Sequence, residues 1–162
     1  MFDICPRVKQ YTEKCDVFCA NTLKVFALGK AELFFSTLEI LLPEVKIEQV
    51  RYRDANVRIS VSEDYSSQRE YCSLRITENI LEIHCRDAAG ARNAAAILAQ
   101  ILRKGDSGFE VSCGVIEDWP DAQYRAFMVE SSGRVWMPMD RIMGYIKEIG
   151  RASCRERVSS VV

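Results

Sequence analysis

Residues 116–138 read IEDWPDAQYRAFMVESSGRVWMP, and the fold turns on how this stretch divides. Asp118-Trp119-Pro120-Asp121 is a turn signal, because the proline ring fixes φ and aspartate side chains bond nearby backbone. Residues 124–129, YRAFMV, follow as a nearly unbroken apolar run, which suits a strand buried on both faces, as in a parallel sheet or barrel. Glu130-Ser131-Ser132-Gly133-Arg134 falls just past the C-terminal end of that strand, the end at which α/β barrels bind ligands. A helix signal comes next, with Pro138 near its start and Asp140, Arg141, Ile142, Met143, Tyr145 and Ile146 beyond.

Upstream, the chain reads as a smaller α+β layer. Residues 22–28, TLKVFAL, are rich in strand formers and end at Gly29. Residues 31–42 carry Leu33, Phe34, Leu38, Leu41 and Leu42 at helical spacing and are closed by Pro43, which predicts a helix covering a sheet. Residues 57–61 and 71–76 alternate, and residues 80–85 continue after a Thr-Glu-Asn turn; the short connections predict antiparallel hairpins. His84 faces away from Ile83 on that strand and, with no acidic or cysteine partner in local spacing, reads as a structural or surface histidine. Asp87 is placed to cap a helix over 88–104, with Ala91, Ala94, Ala95, Leu98, Ile101 and Leu102 on one apolar face and Gly105 at its end. Residues 109–115 form the last strand of this layer.

The 162 residues suffice for one ordinary domain, and a hydrophobic content of 48% with 28% charged residues is that of a soluble globular protein. A net charge of −1 gives no electrostatic case for nucleic acid or an anionic membrane as partner. No apolar run is long enough to span a bilayer. No basic region followed by an apolar one opens the chain, so a cytoplasmic protein is expected. The cysteines number 7, with no C-x-x-C; Cys15 and Cys19 are the closest pair. Cys72, Cys85 and Cys113 fall in strand-like runs, where a free cysteine behaves as a small buried hydrophobe, so structural thiols are expected rather than metal ligands or disulfides. His84 alone does not make a His-rich metal site, and no metal or cofactor is expected. Phosphate-binding, dinucleotide-binding, zinc-hydrolase, nucleophile-elbow and zinc-finger spacings are missing, as are repeats.

Two stretches resemble one family. Ile116, Glu117, Asp118, Trp119 and Pro120, then Tyr124, Arg125, Phe127, Met128, Arg134 and Pro138, resemble the junction between the small N-terminal domain and the catalytic barrel of family-20 glycoside hydrolases, the β-N-acetylhexosaminidases. Ala126 stands where that family usually has Gly, Glu130 or Ser131 stands for its Asp, and one extra residue separates Arg125 from Arg134. Residues 87–102, DAAGARNAAAILAQIL, are similar to a helix of the family's accessory domain, and Cys5-Pro6-Arg7 followed by Asp16-Val17-Phe18 resembles its opening, a Pro-containing extended segment and then a short strand. The resemblance implies an α+β fold. Residues 1–117 would be a mixed or largely antiparallel sheet with two covering helices, a zincin-like accessory domain, and residues 118–150 the first β/α unit of a TIM barrel.

For function, the resemblance implies that Arg134 binds substrate. A planar guanidinium fork matches a vicinal diol of a sugar, and lysine does not reproduce it. Arg125 is implied to pair with an acid at the barrel base or domain junction, with Glu130 as a supporting residue. Trp136 either lines a sugar subsite or anchors the first barrel helix. The family hydrolyses terminal N-acetylhexosamine by substrate-assisted retention: the 2-acetamido oxygen attacks the anomeric carbon, an Asp orients the amide, and an adjacent Glu acts as acid and then base. That Asp-Glu pair follows the fourth barrel strand, and neither Glu130 nor Asp140 has an acidic neighbour in the right place. The expectation is an inactive fragment without catalytic residues, whose full-length enzyme takes an N-acetylhexosaminide. Two alternatives stay open: the accessory domain of another glycosidase, such as an α-glucuronidase, or a non-catalytic interaction module.

The last residues read differently. The helix pattern of residues 140–149 is broken at Gly150, and residues 151–157 have no apolar periodicity. The string EIGRASCRERVSSVV resembles a translated sequencing adapter, so residues 151–162 are expected to be an artefactual tail, the alternative being a genuine polar C-terminal tail. Deleting them should change unfolding free energy by less than about 0.5 kcal/mol in a urea melt, the scale of ordinary surface changes; a larger loss would show that the tail packs on the domain.

Overall fold

The structure, a computed structural model, describes residues 4, 7–105, 108–122, 138–141 and 143. Strands form where apolar and polar side chains alternate, because successive side chains point to opposite faces. In chain order these are β1 (Gln10–Ala20), β2 (Leu23–Leu28), β3 (Ile47–Gln49), β4 (Val57–Val61), β5 (Cys72–Ile76), β6 (Leu81–Cys85), β7 (Arg103–Gly105) and β8 (Gly108–Asp118). Two α-helices interrupt them, α1 (Glu32–Leu41) and α2 (Ala88–Ile101). The strands make one mixed sheet in the order β1-β8-β5-β6-β4-β2-β3, with β7 paired to β8 beside that path.

The core lies between this sheet and the two helices, which also pack on each other. Ile59, Ile83, Leu74 and Ile116 sit side by side across four adjacent strands, all fully buried. Phe34 and Leu38, one turn apart on α1, and Ala91, Ala94, Ala95 and Leu98 on α2 close over the sheet. The small face of α2 has a steric reason: a Cβ on Gly90 would lie 2.2 Å from the Tyr71 carbonyl oxygen, so α2 begins directly on the entry of β5.

Several expectations are corrected. β5 and β6 are an antiparallel hairpin as read, but β4 pairs in parallel with both β2 and β6. Residues 62–71, which include a 3₁₀ turn at Glu63–Tyr65, carry the chain past β6 to its far side, so β4 and β5 are not neighbours. β3 was not anticipated; at 3 residues it is too short to show a period. The helix expected over 88–104 ends at Ile101. Leu102 is extended, at φ −69° and ψ 125°, and Arg103–Gly105 become β7, whose backbone pairs with the start of β8. The short strand expected near residues 16–18 is an 11-residue strand, β1, paired along β8 with an irregularity between Glu13 and Val17. Its side chains are mostly exposed, with Glu13, Lys14 and Asp16 charged, so hydropathy hid it. At that irregularity a Cβ on Gly114 would meet the Thr12 carbonyl oxygen at 2.1 Å; only glycine lets β1 come so near. Most of the barrel unit expected over 118–150 falls outside the described residues. Residues 139–141 are helical directly after Pro138, in line with its reading as a helix start.

Asp87 ties the layers together. One carboxylate oxygen accepts the Gly90 N–H at 2.8 Å, capping α2, and the other accepts the Glu70 N–H at 2.9 Å. Glu70 has a left-handed backbone, φ 58°, and its carbonyl accepts from the fully buried Asn93 side chain at 3.1 Å. Both backbone groups of this strained residue are thus met from α2 and its cap. Asp87→Ala removes the cap and the Glu70 acceptor together. It should cost about 1–3 kcal/mol in urea unfolding, against a smaller loss for Asp87→Asn. An unchanged midpoint for Asp87→Ala would contradict this role.

Candidate functional site

The ladder between β5 and β8 ends where Cys72 faces Asp118, and the chain then turns through Trp119-Pro120-Asp121. Asp118 is buried, at 5% exposure, and accepts the Lys9 backbone N–H at 3.1 Å. The Lys9 ammonium reaches Asp121 on the far side of the turn. Trp119 stacks on Tyr71 with ring centroids 6.2 Å apart and planes at 30°. Burial pushes the Tyr71 phenol above its ordinary value, a Ser73 hydrogen bond opposes it, and the Glu117 carboxylate adds to it. The segment before β1, the entry of β5 and the exit of β8 therefore meet at one corner. Open clefts flank it. One, of about 590 Å³, is lined by Lys9, Tyr11, Val115, Glu117 and Asp121 among others; the second, of about 380 Å³, by Ser67, Arg69, Glu70, Asp87 and Pro120 among others.

The candidate residues Arg125, Glu130, Arg134 and Trp136 lie outside the described residues. What is described is the anchored turn from which the chain leaves towards them. Lys9 and Tyr71, which hold this turn, were not singled out from sequence: Lys9 is 109 residues from Asp118, and only the pairing of β1 and β5 with β8 brings the three together.

His84 takes a supporting place in the sheet, on the side opposite buried Ile83. Its Nδ1 lies 2.9 Å from the Ser60 hydroxyl, which lies 2.7 Å from the Tyr65 hydroxyl, and the Tyr65 and His84 rings are 4.7 Å apart. The parallel register of β4 and β6 places Ser60 beside His84, a contact that local spacing does not reveal. Among the described residues no group of three or more His, Cys, Asp or Glu is arranged to hold a metal ion, and no helix is long and apolar enough to cross a membrane.

No family model matches the chain, and no curated protein matches it. Solved structures do. A β-N-acetylhexosaminidase from Bacteroides fragilis NCTC 9343 is similar at TM-score 0.77 and 21% identity, covering 90% of this chain and 30% of that one. A GH20 exo-β-N-acetylglucosaminidase from Vibrio harveyi is similar at TM-score 0.76 and 16% identity, covering 90% and 23%. The chain shares their fold. A structure named CpGH84B is similar at TM-score 0.73 and 21% identity, covering 94% of this chain and 28% of that one. The chain spans roughly a quarter to a third of the length of these structures.

The corner separates two kinds of charge. Asp118→Ala takes the acceptor from a part-buried backbone N–H and should cost about 1–3 kcal/mol. Asp121→Ala breaks an exposed ion pair and should cost less than about 1 kcal/mol. Paired urea melts that gave the reverse order would show that the turn is held by the ion pair instead.

Proposed function

We propose that this chain is the N-terminal part of a β-N-acetylhexosaminidase-like glycoside hydrolase, with residues 1–117 as accessory domain and 118–150 as the opening of the catalytic barrel. The observation that carries the reading is the coincidence of two independent signals. The α+β layer matches hexosaminidase structures over 90% of this chain, and its last strand runs straight into the Ile116-Glu117-Asp118-Trp119-Pro120 junction on which the sequence likeness rests.

In this reading the sheet does no chemistry. It fixes the direction of the chain at the Asp118–Lys9 corner, and the barrel strand that follows delivers Arg134 to the substrate. Arg134 donates paired hydrogen bonds to a vicinal diol of a terminal N-acetylhexosamine; such charge-assisted, forked bonds are stronger than neutral ones. Arg125 and Glu130 support it, and Trp136 offers an apolar face. The Vibrio harveyi enzyme has been solved with N-acetylglucosamine and a Streptomyces plicatus β-hexosaminidase with its product GlcNAc, which makes this sugar the first ligand to try. Bond cleavage follows substrate-assisted retention, with an Asp-Glu pair supplied by sequence beyond this chain. Residues 1–162 alone have no catalytic pair and are inactive. Residues 151–162 take no part.

A second reading is another glycosidase built on the same layer. The structure named CpGH84B, whose name does not carry the GH20 label, is similar to this chain at the same 21% identity as the Bacteroides fragilis enzyme. Kinetics of the full-length enzyme separate the two. On an aryl N-acetylglucosaminide, Arg134→Ala should lower kcat/KM by about 2–4 kcal/mol, roughly 30- to 1,000-fold, while Arg125→Ala lowers yield or Tm. A folded Arg134→Ala enzyme with near wild-type kcat/KM would remove the site assignment, and a wild-type enzyme inert on this substrate would favour the second reading.

A further inference from the structure

Cys72 and Cys85 lie directly opposite each other on the antiparallel strands β5 and β6. The phase of the ladder is fixed at both ends of this hairpin. The Arg86 N–H donates to the Tyr71 carbonyl at 3.1 Å, and the Thr77 N–H donates to the Ile80 carbonyl at 3.0 Å. Tyr71 faces Arg86 and Thr77 faces Ile80, so these are the hydrogen-bonded positions of the hairpin, and the pairs between alternate with them. Cys72–Cys85 is therefore a non-hydrogen-bonded pair, the kind in which opposed side chains come nearest, with Cα atoms about 4.5 Å apart. That spacing falls inside the range of about 4.4–6.8 Å that a disulfide spans. Both side chains point to the same, core-facing side of the sheet, and both residues are fully buried. No other cysteines are paired in register among the described residues: Cys15 and Cys19 are exposed, and Cys113 faces the irregular part of β1.

We propose that Cys72 and Cys85 form a cross-strand disulfide when the chain folds in the presence of a small-molecule disulfide. One thiolate attacks the oxidant RSSR, forming a mixed disulfide and releasing RSH. The second thiolate attacks the protein sulfur of that mixed disulfide and releases a second RSH. The two electrons and two protons given up by the cysteines leave on the two RSH molecules. Timing follows from burial. In the folded, reduced chain the pair is shielded from oxidant, and burial, with Asp87 nearby, holds the Cys85 thiol well above its ordinary value, so thiolate is scarce. The bond forms while β5 and β6 are still accessible, and the finished sheet then protects whichever state it closed on. The oxidised form ties β5 to β6 at the end of the hairpin next to Asp87, and restricts the unfolded chain.

The test uses the whole chain, unfolded in urea with reductant and refolded with oxidised glutathione. Free thiols are then blocked with iodoacetamide under unfolding conditions, and the protein is digested with trypsin without reductant. Cleavage after Arg69, Arg75 and Arg86 releases residues 70–75 with Cys72 and residues 76–86 with Cys85. The expected product is these two peptides joined, two hydrogens lighter than their sum, with a higher urea midpoint for the oxidised chain than for the reduced one. Cys72→Ala and Cys85→Ala should each abolish the midpoint difference, and the double variant Cys15→Ser with Cys19→Ser should keep it. Recovery of both peptides blocked by iodoacetamide, or of either joined to glutathione or to another cysteine peptide, overturns the proposal. The wild-type peptide map decides it even where a core variant fails to fold.

Discussion

Both edges of β8 are hydrogen-bonded, to β1 along one side and to β5 and β7 along the other. This double pairing is the constraint on which the domain depends. β1 lies about a hundred residues away in sequence, so closing the sheet on β8 is a long-range step set against loop-closure entropy. Once closed, it places Leu74 between Ile83 and Ile116, which completes the apolar row under the helices. It also sets Cys72 opposite Asp118, where the ladder stops and the chain leaves the sheet. Residues 119–122 leave the sheet from that point.

How much of this was legible follows from the kind of signal each element carries. α1 and α2 were readable because Phe34 and Leu38, or Ala91, Ala94 and Leu98, repeat at helical spacing and because Asp87 is a strong cap. β5 and β6 alternate between buried residues and half-buried or exposed ones, and β4 does so up to Ser60, so they too were readable. Pairing was not. Parallel and antiparallel neighbours give the same alternation in a half-buried strand, and the parallel position of β4 is fixed by where residues 62–71 run. β1 was hidden because a strand held by its backbone along a sheet edge needs few apolar side chains, and Phe18 and Ala20 are the only buried residues in it. The end of α2 was misplaced because Leu102 continues the apolar face while its backbone already turns towards β8. For the candidate site, the turn at Asp118-Trp119-Pro120 was legible from proline and aspartate chemistry, but the contacts that hold it, from Lys9 and Tyr71, depend on strand order.

The buried Asn93 and Asp118 and the half-buried Asp87 share a pattern. Asp87, Asn93 and Asp118 are placed where one element must begin or end against another, and each satisfies a backbone group there. Buried polar groups of this kind are costly to leave unpaired, so they discriminate against shifted registers more than the apolar residues around them do. A slip of one residue in β5 would move Leu74 off the core and also draw Glu70 away from Asp87 and Asn93. The corner at Asp118 and the hairpin that sets Cys72 opposite Cys85 share this fixed register.

The central claim is that this register aims residues 124–134 so that Arg134 meets the sugar. A crystal structure of the full-length enzyme with N-acetylglucosamine bound tests it most directly. The account predicts the Arg134 guanidinium within hydrogen-bond distance of two neighbouring sugar hydroxyls, with Asp118 still accepting the Lys9 N–H. A bound sugar with Arg134 turned to solvent and another residue in its place would contradict it.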